Sequence, residues 1–174
     1  TSTTAYNAPL GYGLASILVS PSKGLLIYSP YLIFSLAAML WLLWRQRSPL
    51  ILALSFWVLA LITIMAKNTL WWGGTSFGAR YLSETLIPLT LLLGIAWKNL
   101  LSTPLSRALF IILAAASISI QWIGAFKSPC GWAETPQWAD RHPDRHWDWA
   151  DNEIRRCWTE GLSPPKRAQE ILQY

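Results

Sequence analysis

Charge is scarce in this sequence. Of 174 residues 53% are hydrophobic and only 13% charged, against roughly 25% charged in an ordinary soluble domain, so a solvated surface of normal composition is excluded. Acid is scarcer still. Residues 1–127 hold eight Lys/Arg and one carboxylate, Glu84, whereas residues 128–174 hold six Lys/Arg and eight Asp/Glu. The net charge of +5 therefore comes from an otherwise apolar segment rather than from a solvated basic patch, which argues against nucleic acid as a partner. The sequence also lacks the fingerprints HExxH, CxxC, GxxxxGK[ST], GxSxG and the dinucleotide motif, and no cofactor is expected. Its two histidines, His142 and His146, lie among Asp140, Asp144, Asp148 and Asp151, but Pro143 interrupts the helix that would align them. A polar loop is expected there, and no metal site.

What is present is long apolar runs. Gly24–Trp44 (21 residues), Ser48–Ala66 (19), Tyr81–Trp97 (17, with Glu84) and Ala108–Phe126 (19) approach the roughly 20 residues that cross a hydrocarbon core. Runs such as LIFSLAAMLWLLW show no polar face, so the expected fold is an all-α membrane protein with four transmembrane helices. Pro30 is expected in the first turns of the first span, and Pro88 is expected to bend the third. The expected organisation is an N-terminal interfacial segment over 1–23, a four-helix membrane domain over 24–127 and a polar C-terminal tail over 128–174. LGYGLASILVSPSKG reads as a short interfacial or re-entrant helix leading into the first span. TSTTAYNAP opens without Met or a signal-like charged region, which favours a piece of a longer polytopic protein.

Arg45, Arg47, Lys98 and Arg107 flank the first and third connections, while Lys67 and Arg80 flank the second, with Lys23 and Lys127 on that same side. The short connections give four basic residues against two and place both termini outside the cytoplasm. Seven Trp residues, mostly near run ends, read as interfacial anchors.

The second connection, KNTLWWGGTSFGAR, is the densest local feature. Gly73, Gly74 and Gly78 permit positive φ or close approach, and Arg80 stands four residues before Glu84. Two readings remain open: a Trp-belted structural turn with a local ion pair, or a loop that offers Trp72, Gly73, Gly74, Ser76 and Arg80 to a lipid phosphate. The tail adds five Trp residues, expected to hold it against the membrane domain or a partner. DWADNEIRRCW is expected to form one short helix and PKRAQEILQY another. Cys130 and Cys157 lie on the outer side of this topology, either bridged across about 27 residues or free.

The succession SPSKGLLIYSPYLIF, a basic connection, a second span and LWWGGTSFGARYLSETLIPL resembles the later membrane region of bacterial GT-C glycosyltransferases, the polyprenyl-phosphate-sugar transferases related to protein mannosyltransferases. The matching positions are Ser20, Lys23, Gly24, Tyr28, Pro30, Trp72, Gly73, Gly74, Ser76, Gly78, Arg80, Tyr81 and Pro88, with Trp147, Asp148, Trp149 and Asp151 in the tail. The resemblance implies the bacterial inner membrane, a polyprenyl-phosphate carrier on the outer side, inversion at the sugar carbon, and an acidic base, usually beside a divalent metal, in an early loop that has no counterpart here. The chain is then a C-terminal part of such a transferase, not catalytic alone. The competing expectation is a noncatalytic accessory subunit of a larger membrane complex, a photosynthetic one included, although neither histidine falls within an expected span to bind pigment.

Overall fold

The computed structural model describes residues 6–128 and 130–160. Among them the fold is all-α: α1 (Leu10–Val19), α2 (Leu25–Tyr28), α3 (Leu32–Arg45), α4 (Pro49–Lys67), α5 (Leu86–Leu100), α6 (Pro104–Lys127) and α7 (Glu153–Glu160). Three 3₁₀ segments, Arg80–Thr85, Ala139–Arg141 and Pro143–Trp147, lie in the connections. The segment PKRAQEILQY falls outside the described residues.

Two helices, α4 and α6, are long and apolar enough to cross a membrane. Both start at a Pro in the first turn behind a hydroxyl cap: Ser48 accepts from Ile51 N–H and Thr103 from Ser106 N–H. Proline is cheap there because the first N–H groups of a helix have no intrahelical partner. The first apolar run is divided instead of continuous. Its helix stops at Tyr28, turns through Ser29 and Pro30, and resumes at Leu32, because Pro30 disfavours an α conformation at Ser29. Pro30 thus precedes α3 instead of lying within it. The third run begins as the 3₁₀ segment and becomes α-helical at Leu86, with Pro88 buried in the first turn of α5, where it breaks no helical bond.

The core lies between α3, α4 and α5, with α1 laid across α4. Leu32, Leu42, Val58, Leu89 and Leu92 are fully enclosed. Where α1 meets α4 the backbones nearly touch: a Cβ on Gly13 would lie 1.8 Å from the Ala66 carbonyl oxygen, and Ala8 N–H donates to the Lys67 carbonyl. Only Ser117 and Ile123 of α6 are buried. Phe110 of α6 meets Tyr31, Phe34 and Trp97 edge-on, and Gly124 leaves room for the Phe77 ring, 2.3 Å from where its Cβ would be.

This connectivity gathers the Ser20–Gly24 turn, the 68–79 connection and the tail at one end of the helices. Of the tail's five Trp residues only Trp132 is buried, while Trp138, Trp149 and Trp158 are exposed. The short tail helix starts at Glu153 behind Asn152, whose side chain accepts from Arg155 N–H. Asp148 instead closes a turn by accepting from the N–H groups of Ala150 and Asp151.

Candidate functional site

A charge in an apolar sequence needs a partner, because an ion stripped of water without one is strongly disfavoured. Lys23, in the turn between α1 and α2, is 2% exposed. Its ammonium lies 3.0 Å from Glu153 Oε2 of α7 and also donates to the Ser76 carbonyl. The same carboxylate oxygen accepts from the Tyr28 hydroxyl at 3.1 Å and from Gly78 N–H at 3.4 Å. One buried oxygen thereby joins α2, the 68–79 connection and α7. Burial raises the Glu153 carboxyl above its usual pKa, and the Lys23 charge opposes that shift.

Beside this knot, Ser22 Oγ lies 2.9 Å from His146 Nδ1 and donates to the His146 carbonyl at 3.1 Å. The hydrogen-bond pattern assigns the ring proton to Nδ1, donating to the hydroxyl, and leaves Nε2 bare. That agrees with a buried Nε2 that has no hydrogen-bond partner among the described residues. The imidazole stacks on Trp72 at 4.9 Å and meets Trp71 and Trp132 edge-on. Its pKa is lowered to about 4, first by burial and then by the Lys23 charge. It is a neutral packing group at pH 7.

The disulfide Cys130–Cys157 (S–S 2.07 Å) fastens α7 to the start of the tail. Arg145 lies over Trp132 and donates to the carbonyls of Trp132, Thr135 and Gln137 and to Asp151. Arg156 pairs with Asp151 at 2.6 Å. Trp72 Nε1 donates to Asp140 Oδ1 at 2.6 Å, so the loop and tail also bond directly.

The loop residues divide between the knot and an open cleft. Gly73, Gly74 and Gly78 all have positive φ, and a Cβ on Gly78 would come within 2.8 Å of the Tyr28 ring. Ser76 Oγ donates to the Gly73 carbonyl. Trp72 and Gly78 are buried, whereas Arg80, Tyr81 and Glu84 are exposed. Among the described residues Arg80 and Glu84 form no ion pair, because they share a 3₁₀ segment whose three-residue turn does not stack positions i and i+4.

Arg80 borders a cleft of about 130 Å³ with Tyr28, Ser29, Gly78, Ser83 and Gln121. Among the described residues no carboxylate lines it. Leu86 forms its far wall and also starts an apolar groove of about 310 Å³ that follows Ile87, Thr90 and Leu91 along α5. The cleft thus offers a guanidinium, hydroxyls and an amide at the helix ends, and the groove offers hydrocarbon contact along the adjoining helix.

Three residues of the knot, Ser22, His146 and Glu153, carry no local sequence pattern that marks a site. The available signal was Lys23: residues 1–127 hold only Glu84 to neutralise it, and the remaining acids are in the tail. Among the described residues no cluster of His, Cys, Asp and Glu is arranged to hold a metal. No protein-family model, curated protein or solved structure matches the chain.

Proposed function

We propose that the chain is a membrane-embedded lipid-phosphate-binding region of the GT-C glycosyltransferase type, taking a polyprenyl-phosphate carrier at the Arg80 cleft. The observation that carries this reading is that Leu86 lines two concavities at once: a cleft bordered by Arg80, whose guanidinium has no ion-pair partner among the described residues, and an apolar groove along α5. An amphiphile with a phosphate head and a long hydrocarbon chain matches both halves, and the planar five-donor fork of Arg suits phosphate better than a point charge does.

In this reading four segments span the bilayer. At 1.5 Å per residue α6 is about 36 Å long. The 15-residue α5 reaches about 34 Å once the preceding six-residue 3₁₀ segment is added. The shorter α3 is extended toward the tail end by the Ser29–Tyr31 turn and α2. Exposed Phe56, Leu105 and Ile118 face lipid. Arg45, Arg47, Lys98 and Arg107 then lie on the cytoplasmic side of a bacterial inner membrane, with the cleft, tail and both termini outside. The tail over 128–174 acts as a cap over the membrane domain.

Among the described residues no carboxylate lines the cleft, so in this reading they contribute binding, and the acidic base comes from another segment or subunit. The test is binding of undecaprenyl phosphate to the protein in nanodiscs. Arg80→Ala should weaken binding by about tenfold or more, as loss of a charge-assisted bond predicts, and Arg80→Lys should restore only part of it. Unchanged affinity in both variants would reject the ligand role. Loss of copurifying proteins with lipid binding intact would favour an accessory subunit of a larger membrane complex.

A further inference from the structure

A second concavity lies on the other flank of the Ser20–Gly24 turn, between α6 and the tail. It encloses about 450 Å³, within the range of small-molecule sites, and is walled by Pro21, Ile27, Ile123, Ile154, Trp149 and Trp158. Its lining is almost wholly apolar apart from Asn152 and Arg155. One cation, Arg155, lines it, and a second, Lys127, sits against its wall residue Trp158. Lys127 holds its ammonium 4.8 Å above the Trp158 ring and donates to the Trp158 carbonyl, and Arg155 donates to the Ala150 carbonyl. Both have carbonyl partners, and among the described residues neither has a carboxylate within ion-pair distance.

The neighbouring acids are already engaged. Asp148 closes its turn, Asp151 pairs with Arg145 and Arg156, Glu153 pairs with Lys23, and Glu160 lies 4.0 Å from Arg156. Among the described residues the groove and its Trp158 wall therefore hold two cations, Arg155 and Lys127, without a carboxylate partner, beside an apolar lining. Its depth matches such a division: Ile123 is four residues, about 6 Å, from the end of α6 at Lys127, the distance that separates headgroups from the upper acyl chain. Indole rings at the rim suit the same boundary.

We propose that this groove binds one anionic glycerophospholipid, its acyl chain against Ile27, Ile123 and Ile154 and its phosphate between Lys127 and Arg155. Charge decides between this occupant and the chain's own C-terminal segment. Residues 161–174 carry Lys166 and Arg167 against Glu170, so their side chains supply no net negative charge to meet the two cations. The proposal rests on the membrane reading above but not on the Arg80 cleft, with which the groove shares no lining residue.

The test uses the full chain in phosphatidylcholine nanodiscs doped with phosphatidylglycerol carrying a photoreactive acyl chain, and the same probe with a choline headgroup as control. The glycerol probe should label peptides containing Ile123 and Ile154 about tenfold more than the choline probe, because each surface cation contributes appreciably to anionic-lipid affinity. Lys127→Ala with Arg155→Ala should reduce labelling to the choline level, as should high salt. Lys127→Arg with Arg155→Lys should retain it, and Arg80→Ala should leave it unchanged. Both side chains are on the surface, so these variants should fold, and an intact Cys130–Cys157 bridge checks that they do. Equal labelling by the two probes, indifference to the alanine pair, or crosslinking of a photoreactive residue at position 123 to residues 161–174 would overturn the proposal. Failure of the membrane reading is distinct, since no part of α4 or α6 would then be labelled by either probe.

Discussion

The two ends of the helices solve the same chain-reversal problem in opposite ways. At one end α3 joins α4 and α5 joins α6 through three-residue connections, 46–48 and 101–103, each leading to a hydroxyl cap and a first-turn proline. No acid lies there, and Arg47 and Arg107 donate to nearby carbonyls. At the other end a twelve-residue connection, two short N-terminal helices and the tail enclose Lys23, Glu153, Ser22 and His146 with a disulfide beside them. Turning a chain requires only the first arrangement. Burying an ion pair adds little net stability over an apolar substitute, so chain closure alone does not account for the second arrangement.

The contrast can be broken most sharply at the ion pair. Glu153→Leu leaves Lys23 buried without its counter-charge and should lower stability by about 3–5 kcal/mol. Lys23→Met combined with Glu153→Leu should recover most of that loss, measured by thermal unfolding in detergent. A single variant as stable as the parent would show that the knot does not hold this end together.

Removing the disulfide by Cys130→Ser with Cys157→Ser should cost about 3 kcal/mol in the chain-entropy estimate. Its 27-residue loop lies wholly in the tail. Limited proteolysis should therefore cut the tail first and leave α4 and α6 intact.

Acid provides a third, graded test. His146 is held neutral, with its pKa lowered to about 4 against 6.5 when unfolded. Between those values the unfolded chain binds the extra proton, so stability falls as pH drops from about 6.5 to 4, at up to about 1.4 kcal/mol per pH unit, and levels off below. His146→Phe should flatten this part of the pH–stability curve.

The smallest effects belong to the plain end. Ser48→Ala and Thr103→Ala should each cost about 1 kcal/mol through loss of the cap. Neither should change tail proteolysis or the pH dependence. If either did, the two ends would be coupled and the contrast weakened.

The apolar runs made the helices legible, because stretches of 17–21 residues without a polar face leave few alternatives in chain placement. Their interruptions were less so. Ser29–Pro30 divides the first run, and the 3₁₀ start of the third separates Arg80 from Glu84, which α-helical spacing would have stacked. Loop glycines signalled unusual backbone, and Gly73, Gly74 and Gly78 do adopt positive φ. The residue behind Gly78 was hidden. Glu153 sits in NEIRR, a string that reads as a solvated helix start, and its role arises only when a tail 130 residues distant folds back onto Lys23. Local patterns report period and propensity, whereas the pairing of two distant charges is settled by tertiary packing. The cysteines stood between these cases, with bridge and free thiols both open until α7 brought them to a Cα separation of 4.9 Å.

Ser22 and Lys23 are consecutive, yet they hold tail residues seven positions apart, His146 and Glu153. A single attachment would make a pivot about which the tail could swing. Two attachments, spaced along the tail but adjacent on the turn, make a fixed joint that resists both rotation and sliding. Force applied along the tail must load both bonds together, whereas force lifting α7 away meets Glu153 first and His146 second. This joint should therefore be stiffer in shear than in peel.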